Sequence, residues 1–186
     1  MIAFRAQLDD FAGLYERTYQ PVYRTVLGIC GDPAMAADLT QDSFIAAYRQ
    51  QATFRGDVPV EAWLHRIAVN TALTGLRRKR VRWSEPLDPL RHDRPTSSSG
   101  RGDPGDIVDI QRALQRLVPE QRAAVVLRYF HDFDYATIAG IMGTSQGNVG
   151  SMLSRALGRL RRDLDAGDMG TVPVAVSTAE EARHGD

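Results

Sequence analysis

The chain has 186 residues, enough for one domain or two small ones with a usable core. Its 23 basic and 23 acidic side chains cancel, which would argue against a nucleic-acid partner if they were evenly spread. They are not: residues 1–75 hold six basic and eight acidic side chains, and 76–82 hold five basic and no acidic ones. Residues 83–110 hold three against six, 111–162 eight against three, and 163–186 one against six. Two basic segments therefore alternate with acidic ones, and a phosphate backbone feels local charge. The single cysteine, Cys30, lies in an apolar run and excludes an intrachain disulfide, which suits a reducing, cytoplasmic compartment. The opening MIAFRAQLDD has no secretory apolar core, and no run of eighteen apolar residues occurs, so neither export nor membrane insertion is expected.

The first eighty residues read as helices. Phe11, Leu14, Tyr15, Tyr19, Val22, Tyr23, Val26, Leu27 and Cys30 keep helical spacing across Pro21, which ends one helix or opens another. After the turn Gly31-Asp32-Pro33, a helix from Ala34 to about Gln51 has Met35, Leu39, Phe44, Ala47 and Tyr48 as buried positions. Asp38, Gln41, Asp42 and Arg49 fall on its outer side. The stretch FRGDVP turns the chain at Gly56 and Pro59, with Asp57 placed to cap the next helix. That long helix, from Val60, buries Val60, Trp63, Leu64, Ile67, Ala68, Ala72 and Leu76, while Arg66, Asn70, Thr74 and Arg77 form one exposed stripe. It runs into Arg77, Arg78, Lys79, Arg80 and Arg82, a block that attracts polyphosphate.

From Trp83 to Asp106 the periodicity collapses into a stretch rich in proline, serine and glycine, which reads as a linker between two modules free to move. The second module has Ile107, Ile110, Leu114 and Leu117 in a short helix stopped by Pro119. Ala123, Val126, Leu127 and Phe130 mark the next. Asp134 then caps a helix with Ile138, Ala139, Ile141 and Met142; Gly143 supplies a left-handed turn; Ser145 caps a helix with Val149, Leu153, Ala156, Leu157 and Leu160. Two short helices joined by a glycine turn form a helix-turn-helix, whose second helix fits a major groove. Arg155, Arg159, Arg161 and Arg162 strengthen that reading.

From Phe11 to Arg162 the chain resembles the extracytoplasmic-function sigma factors, group 4 of the sigma-70 family. The likeness is carried by DLTQDSFIAAYRQ, FRGDVPVEAWLHRIAVNTAL with the following RRKR, and LVPEQRAAVVLRYFHDFDYATIAGIMGTSQGNVGSMLSRALGRLRR. The resemblance implies an all-α chain of two small helical domains, 1–82 and 107–166, joined by a flexible linker over 83–106 and followed by an acidic tail over 167–186. It implies that Asp38, Gln41, Asp42, Phe44 and Tyr48 dock on the clamp helices of the polymerase β-prime subunit, with the β flap as a second contact. Phe54, Arg55, Trp63, Arg66, Asn70 and Thr74 would read the minus-ten element, and Arg77, Arg78, Lys79 and Arg80 would hold its phosphates. Ser145, Gln146, Asn148, Val149, Ser151, Met152, Ser154, Arg155 and Arg159 would contact the minus-thirty-five element. A chain of this family needs no cofactor or metal, is monomeric when free, and is held inactive by an anti-sigma factor until a stress or signal releases it.

Residue chemistry leaves some readings open. Trp63 suits either core packing or stacking of an extruded base, whereas Asn70 faces outward and fits base-edge bonding better. His65 and His131 lack ligand partners at metal spacing and read as surface or boundary residues. A free-standing helix-turn-helix regulator is the main rival. An enzyme using Asp38, Asp42, Asp57 and Glu61 as metal carboxylates is a distant one. The recognition helix departs from the family's pattern, with Gly150 and Met152 standing where a lysine and an arginine are usual, so a weak grip on DNA is expected.

Overall fold

The computed structural model describes residues 10–84 and 112–168, and among these every regular element is helical. The first domain comprises α1 (Phe11–Cys30), α2 (Pro33–Gln50), a short 3-10 turn (Gln51–Thr53) and α3 (Val60–Ser84). The second comprises α4 (residues 112–116), α5 (Pro119–Phe130), α6 (Tyr135–Met142) and α7 (Gln146–Asp168).

Caps set the first boundaries. Asp10 accepts from Gly13 N at 2.8 Å to open α1, and Asp32 accepts from Ala34 N and Met35 N at 3.0 and 3.1 Å to open α2. Gly31, at φ 74°, closes α1 with its amide on the Leu27 carbonyl. Pro21 neither ends nor starts a helix: α1 runs through it. A proline inside a helix costs about 3 kcal/mol, and here Leu14, Thr18, Val22, Thr25 and Val26 are buried on both sides of it, so packing overrides the local penalty. The chain turns at Gly56, φ 72°, and α3 begins when the Pro59 carbonyl accepts from Trp63 N. Asp57 is exposed and makes no capping bond among the described residues, contrary to expectation.

α1, α2 and α3 pack on one another, while α7 packs on α5 and α6. The two domains also pack together, α1 against α5 and α3 against α5 and α6, so that one cluster of buried side chains runs from Val22 through Ala72 to Leu127 and Ala156. Residues 83 and 84, expected in the linker, continue α3, and 167 and 168, expected in the tail, end α7; the rest of the linker, the rest of the tail, and the positions Ile107 and Ile110 lie outside the described residues.

This packing explains why α3 is buried on a wider arc than its spacing predicts. Val60, Leu64, Ile67, Ala68 and Ala72 are inside as expected, but so are His65, Val69 and Leu73. With α1 and α2 on one side and α5 and α6 on another, only a narrow stripe of the helix is left to solvent ahead of its basic end. His65 is therefore no surface residue. Phe130, expected inside, is 61% exposed at the end of α5, and Arg122, Ala124 and Val125 are buried in that helix.

Candidate functional site

Three surfaces carry chemistry. The first is the outer stripe of α3, where Arg66, Asn70, Thr74 and Arg77 are all exposed and follow one another at helical spacing. At its start, Phe54 and Trp63 are partly buried, their ring centroids 5.0 Å apart, and both pack on Leu14 and Val60. Trp63 is thus partly in the core and partly accessible, and Arg55 is exposed. At its end, Arg77, Arg78, Lys79 and Arg80 are exposed. Lys79 Nζ lies 3.6 Å from Asp32, and Arg77 lies 3.6 Å from Glu120 of the second domain. Pairs this exposed contribute about 1 kcal/mol at most, so phosphate can displace them.

The second surface is the helix-turn-helix. Asp134 accepts from Thr137 N at 2.7 Å, which opens α6 and holds the Asp134 carboxyl below its ordinary pKa. Gly143, at φ 64°, closes α6 with its amide on the Ala139 carbonyl. Ser145 Oγ accepts from Asn148 N at 3.2 Å to open α7. Ser145, Gln146, Asn148, Ser151, Ser154, Arg155 and Arg159 are exposed along one side of α7. Val149 and Met152 are not: they are 0% and 8% exposed in the core, so their assignment to DNA contact is corrected. A helix with 3.6 residues per turn cannot present Val149, Met152 and Leu153 to solvent while they wall the domain. Gly150 faces Tyr135, whose ring would lie 3.5 Å from a side chain placed there.

The third surface is an open groove of about 760 Å³ between α1 and α2, lined by aromatic rings with Asp38, Gln41, Ile45 and Arg49. Phe44, expected to reach a partner, is 4% exposed and is instead the packing centre. Tyr15 meets it edge-on at 4.7 Å, and Tyr19 and Phe11 lie 6.2 and 6.5 Å away. Tyr48 is 57% exposed against Phe11, and Asp42 is exposed but is not part of the groove lining. The sequence alone assigns no partner role to Phe11, Tyr15 or Tyr19. Their spacing of four is visible in it, but that is also the spacing of a core stripe.

Among the described residues no cluster of three or more metal-ligating side chains occurs, and no helix is long and apolar enough to cross a membrane.

Residues 14–82 match the family description Sigma-70 region 2, and residues 107–160 match Sigma-70, region 4. The chain is 35% identical over 152 residues to ECF RNA polymerase sigma factor SigM of Mycobacterium tuberculosis, which covers 82% of this chain and 76% of that protein. In structure it is similar to the sigma factor RpoE of Bartonella quintana, solved with the anti-sigma factor NepR. The TM-score is 0.73 at 27% identity, covering 84% of this chain and 97% of that one. CnrH, solved with the cytosolic domain of CnrY, shares the fold at TM-score 0.65 and 22% identity, covering 88% and 96%. Members of this family are transcription initiation factors and not enzymes, and with both regions present in order this chain belongs to the ECF RNA polymerase sigma factors of the sigma-70 family.

Proposed function

We propose that residues 1–82 bind core RNA polymerase and open the minus-ten element, and that residues 107–166 read the minus-thirty-five element, with 83–106 as the connection between them. The observation that carries this reading is the exposed stripe Arg66, Asn70 and Thr74 leading into Arg77–Arg80 on one helix. The Arg66 guanidinium and the neutral Asn70 and Thr74 meet base edges there, and the cations that follow meet phosphates. Phe54 and Trp63 form the aromatic wall against which an extruded base stacks. The exposed side of α7 supplies Gln146, Asn148, Ser151, Ser154, Arg155 and Arg159 to the major groove. Asp38, Gln41 and Tyr48, with neighbouring Asp42, fit the clamp helices of the β-prime subunit through charge and aromatic contact, and the second domain meets the β flap.

The packed arrangement of the two domains is the resting form of the free, monomeric chain. A compact body of 186 residues has a radius of gyration of about 16 Å and a breadth of roughly 41 Å. Elements centred about 25 base pairs apart lie roughly 85 Å apart along a B-form duplex. Both cannot be read at once until the domains separate. The likeness to RpoE, solved with NepR, supports control by an anti-sigma factor, released by a stress or signal in the cytoplasm. The two-region layout supports placement in group 4, and no cofactor is needed.

The test is transcription from a promoter-fragment library with purified core polymerase. Start sites that require this chain support the reading. If the chain binds promoter fragments as a dimer and no start sites depend on it, it is a free-standing regulator.

A further inference from the structure

The interface between the two domains differs from an ordinary core in what it buries. Gly28 of α1 lies flush against Val126 of α5, and around that contact sit Thr25 and His65 from the first domain with His131 and Arg122 from the second. Polar groups at an internal boundary mark a contact that is made and broken, because each side must tolerate water when apart.

We propose that His65 and His131 form an acid-releasable latch between the two domains, closed when both imidazoles are neutral and opened by protonation of either. The rings meet edge to face with centroids 4.4 Å apart, and Phe133 packs on both, at 5.4 and 5.8 Å.

Hydrogen bonding fixes where the protons are. His65 Nδ1 lies 2.8 Å from the Glu61 carbonyl, so that nitrogen donates and Nε2 carries the lone pair. Nε2 is buried and has no partner, so a proton added there would bring a charge into a place with no acceptor. His131 Nε2 lies 2.7 Å from Thr25 Oγ1, and Thr25 spends its single proton on the Pro21 carbonyl at 3.0 Å. His131 Nε2 therefore donates to Thr25, and a second proton would go to Nδ1. That proton would make a cation beside His65 and near Arg24 of α1.

The other charged groups do not neutralise it. Glu61 on α3 draws a proton towards His65, but less strongly than burial drives it off. Arg128 of α5 donates to the Phe133 carbonyl at 3.0 Å and pins the loop, adding no negative charge. Asp134 is exposed and engaged at the start of α6, and Asp132 is exposed on the loop. Burial, then His65 and Arg24, push the His131 imidazole down from 6.5 to about 4, and burial pushes His65 down as well. Each ring thus takes up a proton more readily when the domains are apart. The closed form is fully favoured above the ordinary imidazole range and loses ground as the pH falls from about 6.5 towards 4. For the partly exposed His131 ring, discounted for solvent screening, the closing equilibrium falls about tenfold by pH 5.

This inference rests on the packing of the two domains and not on promoter reading, so the two can fail separately. The test is small-angle scattering with far-ultraviolet dichroism on the full chain at about pH 7.5 and about pH 5. The parent and the looser Gly28→Ala background are each compared with and without His131→Gln, which keeps a neutral donor for Thr25. The expected result is a radius of gyration that rises at the lower pH with helicity retained, most clearly in the Gly28→Ala background, and a response largely abolished by His131→Gln. An unchanged radius in the Gly28→Ala background, an equal response in the His131→Gln chain, or loss of helicity in step with expansion would each overturn the latch.

Discussion

Replacing Gly28 with leucine should open the chain without unfolding either domain. A Cβ at Gly28 would sit 2.7 Å from Val126 Cγ2 and 3.5 Å from Cγ1. Val126 is 1% exposed and β-branched, so it has no second rotamer into which to retreat. Three further carbons of leucine deepen the overlap, and overpacking of this kind costs about 1–3 kcal/mol, a shift of roughly 5- to 150-fold in the closing equilibrium. Within α1 the same change is favourable by about 0.5–1 kcal/mol, because glycine is a poor residue for a helix interior. The two effects fall on different processes, so they can be separated. Small-angle scattering should give a larger radius of gyration than the parent, and limited proteolysis should cut faster between the domains, while helicity is kept or raised. In a polymerase-binding assay the leucine chain should associate faster, since the opening step has been taken in advance. A parent-like radius and parent-like proteolysis would refute the argument, because they would mean that Gly28 does not meet Val126 in solution.

Other substitutions test the individual surfaces. Asn70→Ala should weaken opening of matched promoters by about 1–3 kcal/mol while leaving duplex affinity nearly intact, and equal losses on duplex and pre-melted DNA would remove its base-reading role. Asp42→Arg should abolish co-purification with core polymerase while shifting the melting free energy by less than about 0.5 kcal/mol, as expected for an exposed helix face; retained association would move the docking surface elsewhere. On α7, Ser151→Lys should tighten duplex binding and steepen its salt dependence by about 0.9 log unit, the effect of one added phosphate contact. Met152→Arg, in contrast, should destabilise the second domain by several kcal/mol in a denaturant titration, since it places a charge in the core; a stable variant would show that Met152 faces out.

What is legible in the sequence is what local chemistry encodes. Asp134, Gly143 and Ser145 announce the α6–α7 turn because a cap, a left-handed residue and a second cap each require particular residue types within a few positions. The stripe on α3 is legible because polar residues recur at the helical repeat. The interface between the domains is not, since Thr25 and His131 are 106 residues apart and neither has a neighbour that hints at the other. His65 sits one position off the core face of α3 and becomes buried only because α5 and α6 close over that side. Phe130 shows the converse, an apolar residue at core spacing that the last turn of its helix carries out into solvent. Phe44 and Tyr48 belong to one apolar stripe in sequence, yet only the packing of Phe11, Tyr15 and Tyr19 decides which of them is covered.

The recognition helix shows how register alters a conclusion about charge. Matching the family's pattern position by position suggests that two cations have been lost, at Gly150 and Met152. Burial separates the two cases. Met152 stands with Val149, Leu153 and Ala156 on the inner wall of the domain, so the methionine there fills core and removes nothing from the exposed side of the helix. Gly150 lies beside the ring of Tyr135, which also sits 5.8 Å from the Arg128 guanidinium, so a long side chain at that position would have to run across an aromatic surface already engaged by a cation. The first turns of α7 are left with neutral donors and acceptors, and charge enters with Arg155 and Arg159. Arg155 Nε is bonded to the Ser151 carbonyl at 3.1 Å and Arg162 Nε to the Gly158 carbonyl at 3.0 Å. Each bond uses one of five N–H groups and limits the side chain's freedom, so less entropy would be lost if the terminal nitrogens met a phosphate. Neutral side chains thus occupy the exposed positions of the first turns of α7, and cations those of its later turns.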